Sequence, residues 1–210
     1  MNRIVPTLAA AALLTGCAST PGNTTSATQP QPPAAMSETN TPNFEVFTTK
    51  LDDYFVLGHI FKNIDHHKMG DYYGTFERNQ PLRNFAAKFS TPENRLVGIV
   101  FKGEQGDNFI VGAIVEGVTE APDGAELMKF PASEFLVTTH GNYFESEDAL
   151  MKSRYIGKTV GHAHSEHVKI PDGYERCCDK NSYMERWNFN YDAKKFRMEI
   201  WFAMKKNVNP

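Results

Sequence analysis

The sequence predicts an α+β fold: duplicated β-α-β-β units forming one curved antiparallel sheet, with two helices on one side and a central groove. Three observations predict it. Apolar runs suited to buried strands alternate with stretches whose apolar residues recur at helical spacing. The order strand, helix, strand, strand occurs in the first half and returns in the second, without any repetition of residues. Each half also ends on two strand-like runs joined by a short polar linker, the pattern of a hairpin.

Taken in order, Tyr54 to Phe61 is a continuous apolar run and reads as a buried strand. Met69, Tyr72, Tyr73 and Phe76 then fall at i, i+3, i+4 and i+7, one face of a helix. Pro81 interrupts and suits the first turn of a new helix, on which Leu82, Phe85, Ala86 and Phe89 repeat the spacing. Leu96 to Phe101 and Phe109 to Val115 form a hairpin across the linker 103–107. In the second half, Leu127 to His140 contains a strand, with Phe130-Pro131 at an edge or bend. Ser146 is placed to cap a helix whose first turn holds Glu147 and Asp148. Ala149, Ile156, Val160 and Ala163 continue that helix as a loose stripe, weakened by Gly157 and Gly161. Tyr183 to Tyr191 and Phe196 to Met204 form the last hairpin.

The N-terminus carries a different signal. Arg3 is followed by an uncharged apolar stretch from Ile4 to Leu14, the pattern of a signal peptide. It is shorter than the ~20 apolar residues needed to span a bilayer. It ends in Leu14-Thr15-Gly16-Cys17-Ala18-Ser19, a run that resembles the lipobox of bacterial lipoproteins. The resemblance implies cleavage before Cys17, lipid on its thiol, and, with Ala18 following, residence on the periplasmic face of the outer membrane. Residues 18 to 43 are rich in Ser, Thr, Pro, Ala, Gln and Asn and carry one charge, Glu38, so they cannot bury a core and read as a tether. The expected organisation is therefore a signal peptide over 1–16, a lipidated Cys17 and tether over 17–43, and one folded domain over 44–210. The net charge of −3, without any block of Lys or Arg, argues against a nucleic-acid partner. The adjacent Cys177 and Cys178 leave two states open, a vicinal disulfide or two thiols.

The last hairpin carries the clearest chemical signal. With side chains alternating at period two, Tyr183, Glu185, Trp187, Phe189 and Tyr191 share one face. Phe196, Met198, Ile200, Phe202 and Met204 share a face on the next strand. A short turn pairs Tyr191 with Phe196 and sets Glu185 opposite Phe202. Glu185 is then the only acid on an aromatic and aliphatic face, where a carboxylate is costly unless bonded or paired. Such a group either holds a proton through a raised pKa or awaits a cation, helped by aromatic ring faces. Tyr183, Trp187 and Phe202, with Trp201, Tyr72 and Phe135, complete the expected binding surface.

From Lys50 to Lys206 the chain resembles the GyrI-like small-molecule-binding domains, also found as effector-binding domains of AraC- and MerR-type regulators. The resemblance rests on Tyr54 to Phe61, the hairpin from Arg95 to Val115, the run from Phe130 to Val137, Thr139-His140-Gly141, Met184-Glu185-Arg186-Trp187 and Glu199-Ile200-Trp201-Phe202. It implies a duplicated β-α-β-β fold with Glu185 at the floor of a groove that takes cationic or polar aromatic ligands. The stretch Gly161 to His167 departs from the family's Trp-Leu-Pro pattern.

These readings make the expected partners a small amphipathic molecule, cationic in the leading reading, and a membrane reached through Cys17. A hydrolase using Glu185 beside Tyr183 as general acid or base is the alternative, as is a groove that takes a partner protein. No cofactor is expected. His164 and His167 share a helix face but His162 does not join them, and no axial-ligand pattern for haem is present.

Overall fold

The computed structural model describes residues 43–177 and 182–207. The expected signal peptide, Cys17, the expected tether up to residue 42, and Cys178 lie outside the described residues; Cys177 is disulfide-bonded. Nine strands are present among the described residues: β1 (Phe44–Leu51), β2 (Tyr54–Phe61), β3 (Leu96–Lys102), β4 (Asp107–Val115), β5 (Glu126–Phe130), β6 (Ser133–His140), β7 (Tyr174–Arg176), β8 (Tyr183–Asn190) and β9 (Lys195–Lys206). The helices are α1 (Met69–Arg78), α2 (Gln80–Ala86), α3 (Glu147–Lys152) and α4 (Tyr155–Ala163).

All pairings are antiparallel, in the order β1-β6-β9-β8-β3-β4-β2-β5, with β7 alongside β9. This order is symmetric about the β3/β8 boundary. The triplet β3-β4-β2 on one side matches β8-β9-β6 on the other, as two β-α-β-β units predict. Sequence reasoning missed one device. The segment before each unit crosses to the far edge: β1 pairs with β6 of the second unit, and β5 pairs with β2 of the first. The run from Leu127 to His140 is accordingly two strands, broken at Pro131 and Ala132.

This exchange forces the sheet to close on itself. β5 and β6 are six strand spacings apart, roughly 29 Å if the sheet were flat. Phe130 and Ser133 are only three residue steps apart, at most about 11 Å. The link from β1 to β2 imposes the same condition. The sheet therefore curls towards a barrel, which brings Phe101 of β3 within 6.2 Å of Phe130 of β5, ring to ring. Inside the curl a dry cluster forms from Val56, Val97, Ile99, Ile110, Phe135 and Trp201, among others. A second cluster on the opposite face joins the sheet to the helices, with Phe76, Leu82, Ala86, Leu150 and Ala163 buried against it.

The local sequence explains the helix ends. Asn79 closes α1 and caps α2 by accepting a hydrogen bond from Leu82 N, with Pro81 in the first turn. Ser146 caps α3 through Ala149 N, as its position predicts. The second helix is broken near Ser153, so its loose stripe is two short helices. The last hairpin differs in register from the expected one. Residues 191–194 form the turn, Phe189 pairs with Phe196, and Glu185 faces Ile200 rather than Phe202. A slip of two residues preserves the face, whereas a slip of one would have turned Glu185 into the curl.

Candidate functional site: a groove on the symmetry axis

α1 and α2 pack over β4, with α1 reaching β2, while α4 packs over β6 and β9 and α3 over β9. Neither pair covers the central strands β3 and β8, so a groove remains above them. It holds a cavity of about 280 Å³. One wall is α1, through Met69, Gly70, Tyr73 and Glu77. The opposite wall is Met151 of α3 with Ile156 and Val160 of α4. The floor is Leu96, Glu185, Trp187, Phe189 and Met198.

Glu185 is held there by two phenols. Tyr73 donates to one carboxylate oxygen and Tyr183 to the other, each at 2.8 Å. Burial raises the Glu185 pKa above its ordinary value, and the two hydrogen bonds offset only part of that rise. Burial, followed by the charge of Glu185, pushes the hydroxyls of Tyr73 and Tyr183 far above the ordinary tyrosine value, so both stay protonated donors. The Trp187 indole N–H is buried in the floor and interacts with the Tyr73 hydroxyl, short of well-formed hydrogen-bond geometry.

A glycine makes this arrangement possible. Gly98 of β3 pairs directly with Glu185 of β8. A Cβ at Gly98 would lie 2.2 Å from the Tyr73 hydroxyl and 2.4 Å from the Phe109 ring. Only a residue without a side chain lets Tyr73 reach across β3 to the carboxylate.

The expected surface is partly relocated. Glu185 and Trp187 line the cavity, and Tyr183 touches it through its bond to Glu185. Phe202 shares their face but lies beyond the cavity, under the Arg176 guanidinium at 3.9 Å and beside His164. Trp201 and Phe135 are corrections: both belong to the opposite face, inside the curl, packed ring against ring at 5.2 Å. The Trp201 indole donates to the buried Glu199. Tyr72 is also displaced. It stacks on Phe61 at 4.6 Å, and its hydroxyl accepts from Asp65 N. Its neighbour Tyr73 takes the position in the groove. The spacing Met69, Tyr73, Glu77, at i, i+4 and i+8, was the available signal for that wall. Of the histidines, His162 stacks on Phe44 and His164 lies over Phe202. Among the described residues no three His, Cys, Asp or Glu side chains group as a metal site.

The duplicated units, the crossed edge strands and the groove on their axis give an α+β fold that recurs among solved structures. Among solved structures, the chain is similar to SAV2435 bound to tetraphenylphosphonium, with a TM-score of 0.52, 9% identity, and 77% of this chain and 94% of that chain covered. It is also similar to the EcmrR C-terminal domain, with a TM-score of 0.44 and 16% identity over 78% of this chain and 99% of that one. No family model and no curated protein matches the sequence.

Proposed function

We propose that this protein binds amphipathic cations in the groove, with Glu185 as the counter-charge. The observation that carries the reading is a carboxylate held by two tyrosine hydroxyls at the floor of a mostly apolar cavity. Burial makes its charge costly in the empty groove, and a cation with an apolar body relieves that cost while covering Trp187, Leu96 and Met198. The fold shared with SAV2435, whose structure holds tetraphenylphosphonium, supports the same ligand class. Titrating the full-length chain with tetraphenylphosphonium should raise its melting temperature, because a ligand that binds only the folded state stabilises it by mass action. A neutral aromatic of similar size should raise it less. Equal shifts from both, or none from the cation, would remove the charge argument.

The proposal includes an envelope location, supported by the lipobox-like run ending in Cys17. On this reading the domain works at a membrane surface, as a capture or sensing module for membrane-active cations. Metabolic labelling with a fatty acid should mark the wild-type chain, and Cys17→Ser should abolish the label and release the protein from the membrane fraction. An unlabelled wild-type chain would sink the anchor without touching the groove.

A further inference from the structure

A second carboxylate lines the same cavity. Glu77 lies one helical turn beyond Tyr73 on α1, about 6 Å further along the helix axis. It is half-buried, and among the described residues its carboxylate has no hydrogen bond and no ion pair; the bonds from Gln80 and Arg83 go to its backbone carbonyl. Its pKa is raised, first by burial and then by the charge of Glu147, against the smaller pull of Arg83 and Arg78. Tyr73 bonds Glu185, and Glu77 stands one turn further along α1, so the acids form two separate stations. Apolar surface joins them: Leu96, Trp187 and Phe189 line the floor of the one cavity both enter.

A monocation at Glu185 leaves Glu77 half-buried, with only the longer-range pull of Arg83 and Arg78 and no direct partner among the described residues. Two positive charges joined by an apolar spacer satisfy both acids and cover the surface between them. We infer that the groove selects dications, elongated molecules with one cationic group at Glu185 and a second at Glu77. The inference rests on the cation-binding reading above and adds the second station. A carboxylate that lines the cavity with neither a hydrogen bond nor an ion pair among the described residues carries it.

The test uses two series of probes on the full-length chain by titration calorimetry: bis(trimethylammonium)alkanes of increasing chain length, and alkyltrimethylammonium ions of matching length. The expected result is that one chain length of the bis series binds about tenfold more tightly than its monocationic counterpart. Glu77→Gln should erase that advantage, bringing the bis series down to its monocationic counterparts, whereas Glu185→Gln should weaken both series. The unliganded melting temperature of Glu77→Gln should be no lower than wild type, which keeps the comparison free of a folding defect. If monocations bind, depend on Glu185 and match the bis series at every length, the dication inference falls and the cation groove stands. If a bis advantage persists in Glu77→Gln, the second station lies elsewhere and the inference also falls. If neither series binds, both readings fall together.

Discussion

Glu185→Gln is expected to lower the affinity for a lipophilic cation by roughly ten- to a hundredfold, about 1.4–2.7 kcal/mol, while leaving a neutral aromatic ligand nearly unaffected. The size follows from the setting. The carboxylate is withdrawn from water, so its attraction for a desolvated cation is screened far less than that of a surface pair. Glutamine keeps the shape and can bond both phenols, accepting from one and donating to the other. The change therefore removes charge and little else. It should also raise the stability of the empty protein at neutral pH. The folded pKa of Glu185 lies above its unfolded value of 4.5. Below the unfolded value both states are protonated and nothing is gained or lost. As pH rises towards the folded value, ionisation increasingly favours the unfolded chain, and above it the cost is constant. The melting-temperature gain of Glu185→Gln should thus appear at pH 7 and vanish below about pH 4.5. A variant that binds less but is more stable is the signature of a strained binding residue. A Gln variant less stable than wild type at pH 7 would mean that the charged carboxylate stabilises the empty fold.

The β8 part of the groove floor was legible in the sequence, because it depends on periodicity. The alternation in Tyr183, Glu185 and Trp187 places them on one face whatever the partner strand, so even a register error of two residues left Glu185 over the groove. The same rule argues against Trp201, which has the wrong parity for the face shared by Met198, Ile200 and Phe202. It was silent on Phe135, because the face of β6 depends on which strand it pairs with. The edge exchange of β1 and β5 was not legible. Phe44–Leu51 is mostly exposed, so it lacks the apolar alternation that announces a strand, and its partner β6 is remote in sequence. The curl that buries Phe135 follows from that exchange, so its place could not be read without β1, whereas the parity of Trp201 already set it on the other face. The choice between Tyr72 and Tyr73 failed for a smaller reason. Adjacent helical residues are separated by about 100°, and the packing of Tyr72 on Phe61 leaves Tyr73 as the one that turns into the groove.

The glycine beneath Tyr73 gives the second large expected effect. Gly98→Ala inserts a methyl group 2.2 Å from the Tyr73 hydroxyl and 2.4 Å from the Phe109 ring, both well inside van der Waals contact. Phe109 is fully buried and Tyr73 is wedged between it and Trp187, so neither ring has free space to enter. Overpacking of this kind costs about 1–3 kcal/mol, which for a domain of this size lowers the melting temperature by several degrees. The same methyl group should push the Tyr73 hydroxyl off Glu185, removing one of its two donors and raising its pKa further, so cation affinity should fall along with stability. Gly157→Ala is the matched control. Its Cβ would meet nothing within 4 Å at an exposed position of α4, and it should be neutral or slightly stabilising. Tyr73→Phe separates the two consequences. Removing the hydroxyl deletes the shortest clash, so Gly98→Ala should cost less in a chain already carrying Tyr73→Phe than in wild type, a favourable coupling in a double-mutant cycle. Strict additivity would show that Gly98 is required for some reason other than the passage of Tyr73 to Glu185. A coupling confined to stability, with ligand affinity already lost in Tyr73→Phe alone, would identify the hydroxyl as the part of Tyr73 that the binding site uses.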